Sequence, residues 1–332
     1  MAEHVLVTGG AGYVGSHACK ALSAAGLVPV VLDNLSRGHA AAVKWGPLVR
    51  GDIADDELVT ATCRKYDIHA ALHFAAYAYV GESMQNPGLY YRNNLAGSLA
   101  LLDALQRAGI EAVVFSSTCA TYGEPQALPI SEENQQQPLN PYGETKLAIE
   151  RALRWYDELA GMRSVSLRYF NAAGADPDGE LGEDHEPETH LIPIAIQAAL
   201  GQRERLDLFG TDYPTPDGTA IRDYIHVCDL ADAHVRALEY LRRGGATAAV
   251  NLGTGKGHSV REIIRAVEET TGRTVPVRES PRRQGDPAAL VAAPTRAGEL
   301  LDWQPTQSSL RDIVETAHAW FARSHNRARA VG

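Results

Sequence analysis

Short β-branched runs alternate with longer helical patterns through the first half of the chain, and a glycine-rich turn follows the first of those runs. After Asn171 a loop rich in glycine, proline and acids interrupts the alternation. These features predict an α/β fold: a doubly wound parallel sheet of Rossmann type, covered by helices on both faces, with a smaller C-terminal α/β unit. At 332 residues the chain exceeds a typical domain of about 100 to 200, so one large or two moderate domains are expected.

VLVTG (5–9) reads as the first strand, 13–25 as a helix and PVVLD (29–33) as the second strand. PLVRGD (47–52), ALHFAA (71–76), AVVFSS (112–117) and SVSLRYF (164–170) continue the strands, with helices near 55–66, 93–108 and 142–160 between them. Beyond the loop after Asn171 come a helix at about 191–200, a strand at 206–209, a helix at 229–243 and the strand AAVNLG (248–253). A further helix begins near Ser259, where Glu262 three residues on has capping-box spacing. The carboxyl end, RSHNRARAVG, reads as a frayed tail.

Hydrophobic residues make up 45% and charged residues 22%, and no apolar run reaches the roughly 18 residues of a membrane span. A soluble protein is expected. The start MAEHVLVTGGAGYVG has no secretory pattern, which makes a cytoplasmic location the default. Cysteines 19, 63, 119 and 228 are scattered, so neither a disulfide framework nor a zinc site is expected, and no metal. The net charge of -10 disfavours nucleic acid and anionic membranes and favours a small-molecule substrate.

The first strand leads into Gly9-Gly10-Ala11-Gly12-Tyr13-Val14-Gly15 and then a helix, the context a dinucleotide fingerprint requires. Glycines let the backbone approach a pyrophosphate, which the helix N-terminus then meets. Ser16-His17 follows Gly15 in place of Lys-Ser/Thr, so a hydrolytic phosphate loop is not supported. Asp33 ends the second strand, where an acid can accept both hydroxyls of an adenosine ribose. NAD is thereby favoured over NADP, although Arg37 nearby could shield a 2′-phosphate.

Tyr142 and Lys146 in PYGETK stand four apart, neighbours on a helix and, taken alone, as compatible with surface as with chemistry. Fed by the strand ending Ser116-Ser117-Thr118, they reach the same sheet edge as the glycine loop. A phenol with a pKa of about 10 becomes a usable base if Lys146 and a cationic nicotinamide favour its phenolate, with Thr118 hydrogen-bonding the same substrate oxygen.

These residues resemble the extended short-chain dehydrogenase/reductase superfamily and, over nearly the whole chain, the UDP-glucose 4-epimerase (UDP-galactose 4-epimerase) family. TGGAGYVGSH, LDNLSRG, HFAAYAYVGES, FSSTCATYGEP, PYGETK, RYFNAAGA, the segment through GTAIRDYIHV, NLGTGKGHSV and PRRQGD look like its blocks in order. The resemblance implies reversible 4-epimerisation of a UDP-sugar with bound NAD, through a 4-keto intermediate, by a homodimer packed through the helices at 93–108 and 142–160. Tyr142 would be the base, Lys146 its electrostatic partner and ribose ligand, and Thr118 the hydroxyl usually carried by serine.

Cofactor contacts carry over to Gly9, Gly12, Tyr13, Val14, Asp33, Asn34, Asp52, Ile53, Phe74, Ala75 and Ala76. Asn93, Ser116, Tyr142, Lys146, Tyr169 and Phe170 complete that set. Ala78 stands where some members carry a lysine near the pyrophosphate, which implies weaker NAD binding. Arg222 and Arg283 would clamp the substrate diphosphate with Asn171, because guanidinium forks match phosphate oxygens. Leu208 and Phe209 would offer backbone and ring to uracil, Asp286 would hold the uridine ribose, and Leu191, Thr118 and Tyr142 would also touch substrate.

Leu290 occupies the position that limits room around the hexose, and a leucine there implies tolerance of UDP-N-acetylglucosamine; core packing is an equal reading. The implied division is 1–171 for NAD, with segments at about 220–253 returning to it, and 172–332 for the UDP-sugar. Three alternatives stand. A superfamily dehydratase lacks its acid pair, since Cys119-Ala120 follows Thr118. An epimerase of UDP-xylose and UDP-arabinose shares these motifs, and an NAD-binding regulatory protein would not need the Tyr/Lys pair.

Overall fold

The computed structural model describes residues 3–283 and 286–331. Seven strands form one parallel sheet: β1 (His4–Thr8), β2 (Val28–Asp33), β3 (Leu48–Arg50), β4 (Ile68–His73), β5 (Ala112–Thr118), β6 (Arg163–Tyr169) and β10 (Ala248–Leu252). Their order is β10-β6-β5-β4-β1-β2-β3, so the winding reverses between β1 and β4 and a crevice opens at the carboxyl ends there.

Alternation along each strand feeds two cores. Val5, Val7 and Val114 face one layer with α1 (Tyr13–Ala24), α8 (Val227–Arg242) and α10 (Thr295–Leu301). Leu6, Val113 and Phe115 face the other with α2 (Asp56–Tyr66), α5 (Gly97–Arg107) and α6 (Pro141–Ala160). The buried His73 at the end of β4 is satisfied on both ring nitrogens: it lies between Thr8 Oγ1 at 2.7 Å and Ser98 Oγ at 2.8 Å, and burial pushes its imidazole down to about 3.

The remaining strands are short. β7 (Asn171–Ala173) and β13 (Ala289–Leu290) pair parallel with β9 (Ile221–His226), β11 (Gly257–Ser259) pairs antiparallel with it, and β8 (Leu206–Phe209) pairs with β12 (Val277–Ser280). Beside them α7 (Leu191–Ala199), α9 (Val260–Thr271) and α11 (Leu310–Val331) share a third core with Tyr224, Ile263 and Val314. The Ser259 capping box on α9 is present, with both reciprocal bonds.

Three expectations shift. β4 starts at Ile68 and ends at His73, so residues 74–76 leave the sheet and lie over the glycine loop, where Ala75 backbone abuts Gly9. The helix expected at 93–108 opens with a π turn, Tyr91–Ala96, after α4 (Pro87–Tyr90), itself preceded by α3 (Val80–Gln85). Where a frayed tail was expected, α11 extends to Val331. β7, β11, β12 and β13 carry two to four residues each, too few for pattern to announce, and β9, IRDYIH, mixes charged and apolar residues without alternation.

Candidate active site

One cavity of about 1260 Å³ opens on the carboxyl ends of β1, β4 and β5 and runs to β9 and β13. Its floor is the turn between β1 and α1. Gly9 has φ +72°, and a Cβ there would stand 2.6 Å from Ala75 N; a Cβ on Gly15 would stand 2.3 Å from Gly9 O. Only glycine permits this cradle, and Gly12, the N-cap of α1, brings no side-chain acceptor, so the first amides of the helix meet the cavity uncapped.

Asp33 is buried; its Oδ2 accepts from Ala11 N at 3.0 Å and its Oδ1 from Leu35 N at 2.8 Å, which leaves lone pairs on both oxygens. Asn34 Nδ2 donates to Asp52 Oδ2 at 2.9 Å, and Ile53 lies beside them on the wall. Tyr13, Val14, Phe74, Ala75, Ala76 and Asn93 also line this end. Arg37 is turned to Glu82, 2.7 Å away, with its guanidinium 5.2 and 5.0 Å from the ring centroids of Tyr77 and Tyr79.

The start of α6 is sharp. Asn140 Oδ1 accepts from Gly143 N at 2.8 Å and Pro141 takes the first helical position, so Tyr142, Lys146, Ile149, Glu150 and Leu153 all face inward. Tyr142 reaches the cavity wall beside Thr118 and Ser116. Burial, then Tyr169, holds its phenol well above the ordinary range, while a hydrogen bond with Thr118 pulls the other way. The expected lowering by Lys146 is not what dominates. Lys146 is itself buried, donates to Ser116 O at 2.8 Å, and is pushed by burial down to about 7 against the attraction of Glu150.

Beneath the pair lies a closed network. Arg168 forks onto Glu150, Nε to Oε1 at 3.0 Å and Nη2 to Oε2 at 2.6 Å, and gives Nη1 to Tyr122 Oη at 2.8 Å. Ser117 Oγ also donates to Glu150. The network clamps α6 to β5 and β6 behind Tyr142 and Lys146. On the cavity side Tyr169 Oη and Ser116 Oγ are 2.7 Å apart, and Phe170 packs against Cys119 and Tyr122.

At the far end Arg222 sits on β9 with its side chain 11% exposed, Nη2 donating to Asp286 Oδ1 at 3.0 Å. The Arg283 guanidinium lies 4.0 Å from the centre of the Phe209 ring, a cation–π stack. Asn171 and Leu191 line the same wall. Leu290 does too, while packing beside Ile130 and Ala292.

Two named residues do not line the cavity. Lys146 lies behind the wall, and Leu208 points to the other side of β8, into a small cleft with Ile264, because successive strand side chains alternate. Conversely, Tyr77, Tyr79, Glu183, His185, Glu188 and His190 line the cavity and were not singled out by sequence. The signal was present in GEDHEPETH, read only as a boundary loop for its turn residues.

The fold and site together define a dinucleotide-binding enzyme with a second, cationic subsite for an anionic substrate. The NAD dependent epimerase/dehydratase family matches residues 5–253. A UDP-glucose 4-epimerase of Rhizobium leguminosarum bv. trifolii is 54% identical over 323 residues, 97% of this chain and 98% of that protein. The crystal structure of UDP-glucose 4-epimerase from Brucella ovis in complex with NAD superposes with a TM-score of 0.94 at 55% identity, covering 96% of this chain and 98% of that one. The Bifidobacterium longum enzyme in complex with NAD+ and UDP gives 0.92 at 36% identity, covering 97% and 99%. The chain belongs to the NAD dependent epimerase/dehydratase family and, within it, to the UDP-glucose 4-epimerases.

Proposed function

We propose that the chain interconverts UDP-glucose and UDP-galactose at C4, with NAD held in the cradle of Gly9, Gly12 and Gly15. The observation that carries this is convergence: Tyr142 and Thr118 share one cavity with the glycine loop on one side and Arg222 with Asp286 on the other. Gly9 and Gly15 let the turn pack this tightly, Gly12 brings its backbone to the cavity where a pyrophosphate would lie, and Asp33, Asn34, Asp52 and Ile53 are placed for the adenosine half. NAD, when bound, takes up and returns hydride at the sugar C4.

The chain's own residues handle the proton and the grip. Tyr142 accepts the proton of the 4-hydroxyl as the C4–H bond breaks, leaving a 4-keto sugar, and returns it when the C–H bond re-forms on the opposite face. Thr118 hydrogen-bonds the same oxygen. Lys146, whose pKa of about 7 lets it carry charge part of the time at neutral pH, favours the phenolate when protonated. Arg222, Arg283 and Asn171 hold the diphosphate, Phe209 faces uracil and Asp286 the uridine ribose. With UDP held and the sugar not, the ketone can turn between the two transfers.

On this reading residues 1–171, with later segments at about 220–253, serve NAD, and 172–332 serve the UDP-sugar. The placement of β10 in the large sheet supports the return. Trp155 and Leu159, one turn apart on α6 and 62% and 81% exposed, support a homodimer packed through this helix. No helix among the described residues is long and apolar enough to cross a membrane, which accords with a cytoplasmic location. A second reading, tolerance of UDP-N-acetylglucosamine, rests on Leu290 at the cavity wall.

The test is to give the purified protein UDP-galactose, UDP-glucose and UDP-xylose without added NAD. Fast interconversion of the two hexoses is expected. Tyr142→Phe should lose about 100-fold or more in kcat while keeping bound NAD. Full activity in that variant would remove Tyr142 from the reaction, and turnover of UDP-xylose alone would move the assignment to pentoses.

A further inference from the structure

We propose that the loop at residues 183–190 is a binding site for one divalent transition-metal ion of the zinc class, held by Glu183, His185, Glu188 and His190. The four donor atoms lie within 4.8 Å of one another. His190 Nδ1 is 2.7 Å from Glu183 Oε1 and 3.0 Å from Glu188 Oε1; His185 Nδ1 is 3.1 Å from Glu183 Oε1 and 3.8 Å from Glu188 Oε2. A tetrahedral ion about 2.1 Å from each ligand spaces its ligands about 3.4 Å apart, and the observed separations bracket that value. A small adjustment of the loop would admit the ion.

The donor set suits the ion chemically. Two imidazoles and two carboxylates form a neutral complex with a 2+ ion, with the borderline donors that zinc takes. The two carboxylates are 4% and 5% exposed, and acids so buried require a counter-charge. His185 and His190 stand within 3.8 Å of both carboxylates, and a 2+ ion bound among the four would supply that counter-charge. Because an imidazole binds metal only when unprotonated, affinity would fall as pH falls.

The ligands are also supported from outside. Glu188 Oε1 accepts from the amides of Thr189 and His190 at 2.7 and 2.8 Å, and the Trp320 indole donates to Glu183 O at 2.9 Å. The rings of Tyr13 and Tyr79 stand edge-on to His185, with centroids 6.2 and 5.9 Å away. Such outer contacts orient ligands as they do in metal sites. The contrast is Asp176, Asp178 and Glu180, where the Lys20 ammonium already sits 2.8, 2.7 and 2.9 Å from the three acids. Because the 183–190 loop walls the cavity and leads straight into Leu191 at the start of α7, an ion there would fix that wall.

The untagged full-length protein in metal-free buffer is titrated with Zn2+ and, separately, Co2+. Uptake is read by equilibrium dialysis with elemental analysis, and ligand geometry by the visible absorption of cobalt. One equivalent per chain is expected, with a tetrahedral cobalt spectrum, a Tm raised by zinc, and weaker binding at pH 5.5 than at pH 7.5. His185→Gln/His190→Gln should weaken the uptake at least about tenfold and abolish the Tm response. Equal uptake by wild type and double variant would overturn the proposal. Should that variant not fold, Glu183→Gln replaces it, and wild type that takes up no zinc overturns the proposal unaided.

Discussion

The Lys146 ammonium nitrogen donates to the carbonyl oxygen of Ser116 at 2.8 Å, which fixes a buried amine beneath Tyr142, its Nζ 6.0 Å from the centre of that ring. Burial drives this amine down to about 7. A lysine whose folded pKa lies below its unfolded value of about 10.5 destabilises the fold; the full penalty applies below about pH 7 and fades as pH rises toward 10.5. Lys146→Met should therefore raise urea stability by a few kcal/mol at pH 7 and by clearly less at pH 9, while losing most activity. A stability gain that does not change with pH would contradict this account.

Glu150 is the charge that opposes that depression, and its carboxylate is also the ion-pair partner of Arg168. Glu150→Gln leaves a buried guanidinium without its counter-charge and should cost about 3 to 5 kcal/mol in urea unfolding. Arg168→Met combined with Glu150→Gln should recover much of the loss. Additive single losses in this cycle would show that the pair is not coupled.

Arg222 is nine-tenths covered and already directed by Asp286 toward the cavity. A charge-assisted contact of about 1.5 to 3 kcal/mol corresponds to roughly ten- to hundred-fold in affinity. Arg222→Ala should weaken UDP binding by that factor in calorimetry and leave NAD content unchanged. Unaltered UDP affinity would place the diphosphate elsewhere.

Leu290 pairs in register with Arg222 through β13 and β9, so the two side chains are carried on one paired segment. Leu290→Tyr should lower turnover of UDP-N-acetylglucosamine relative to UDP-galactose by tenfold or more. An unchanged ratio of the two kcat/KM values would assign Leu290 to packing alone.

Trp155 and Leu159 offer an apolar strip on α6 that the fold does not cover. Light scattering should give the mass of a dimer, and Trp155→Glu/Leu159→Glu should shift it toward the monomer. A monomer mass for the wild type would end the interface assignment.

Much of the cofactor end was legible because it is local. The glycine turn, the strand before it and the helix after it are contiguous, and Asn140 and Pro141 fix where α6 starts, hence which way Tyr142 and Lys146 point. Leu208 was expected to offer its backbone, and the pleat turns its side chain away from the cavity that Phe209 lines. The short strands β7, β9 and β13 escaped notice because their pairing, not their composition, makes them strands.

By itself the sequence determined the winding, the glycine turn and the placing of Tyr142 and Lys146 one helical turn apart at the same sheet edge, all properties of turns, caps and periodicity within about a helical turn or a strand. The tertiary structure alone decided how those residues are tuned and what joins them. Burial, a sum over every neighbour, lowers the Lys146 ammonium to about 7 and raises the Tyr142 phenol. Likewise only folding closes a loop of glycine, proline and acids until Glu183, His185, Glu188 and His190 converge, because spacing along a loop does not fix distance through space.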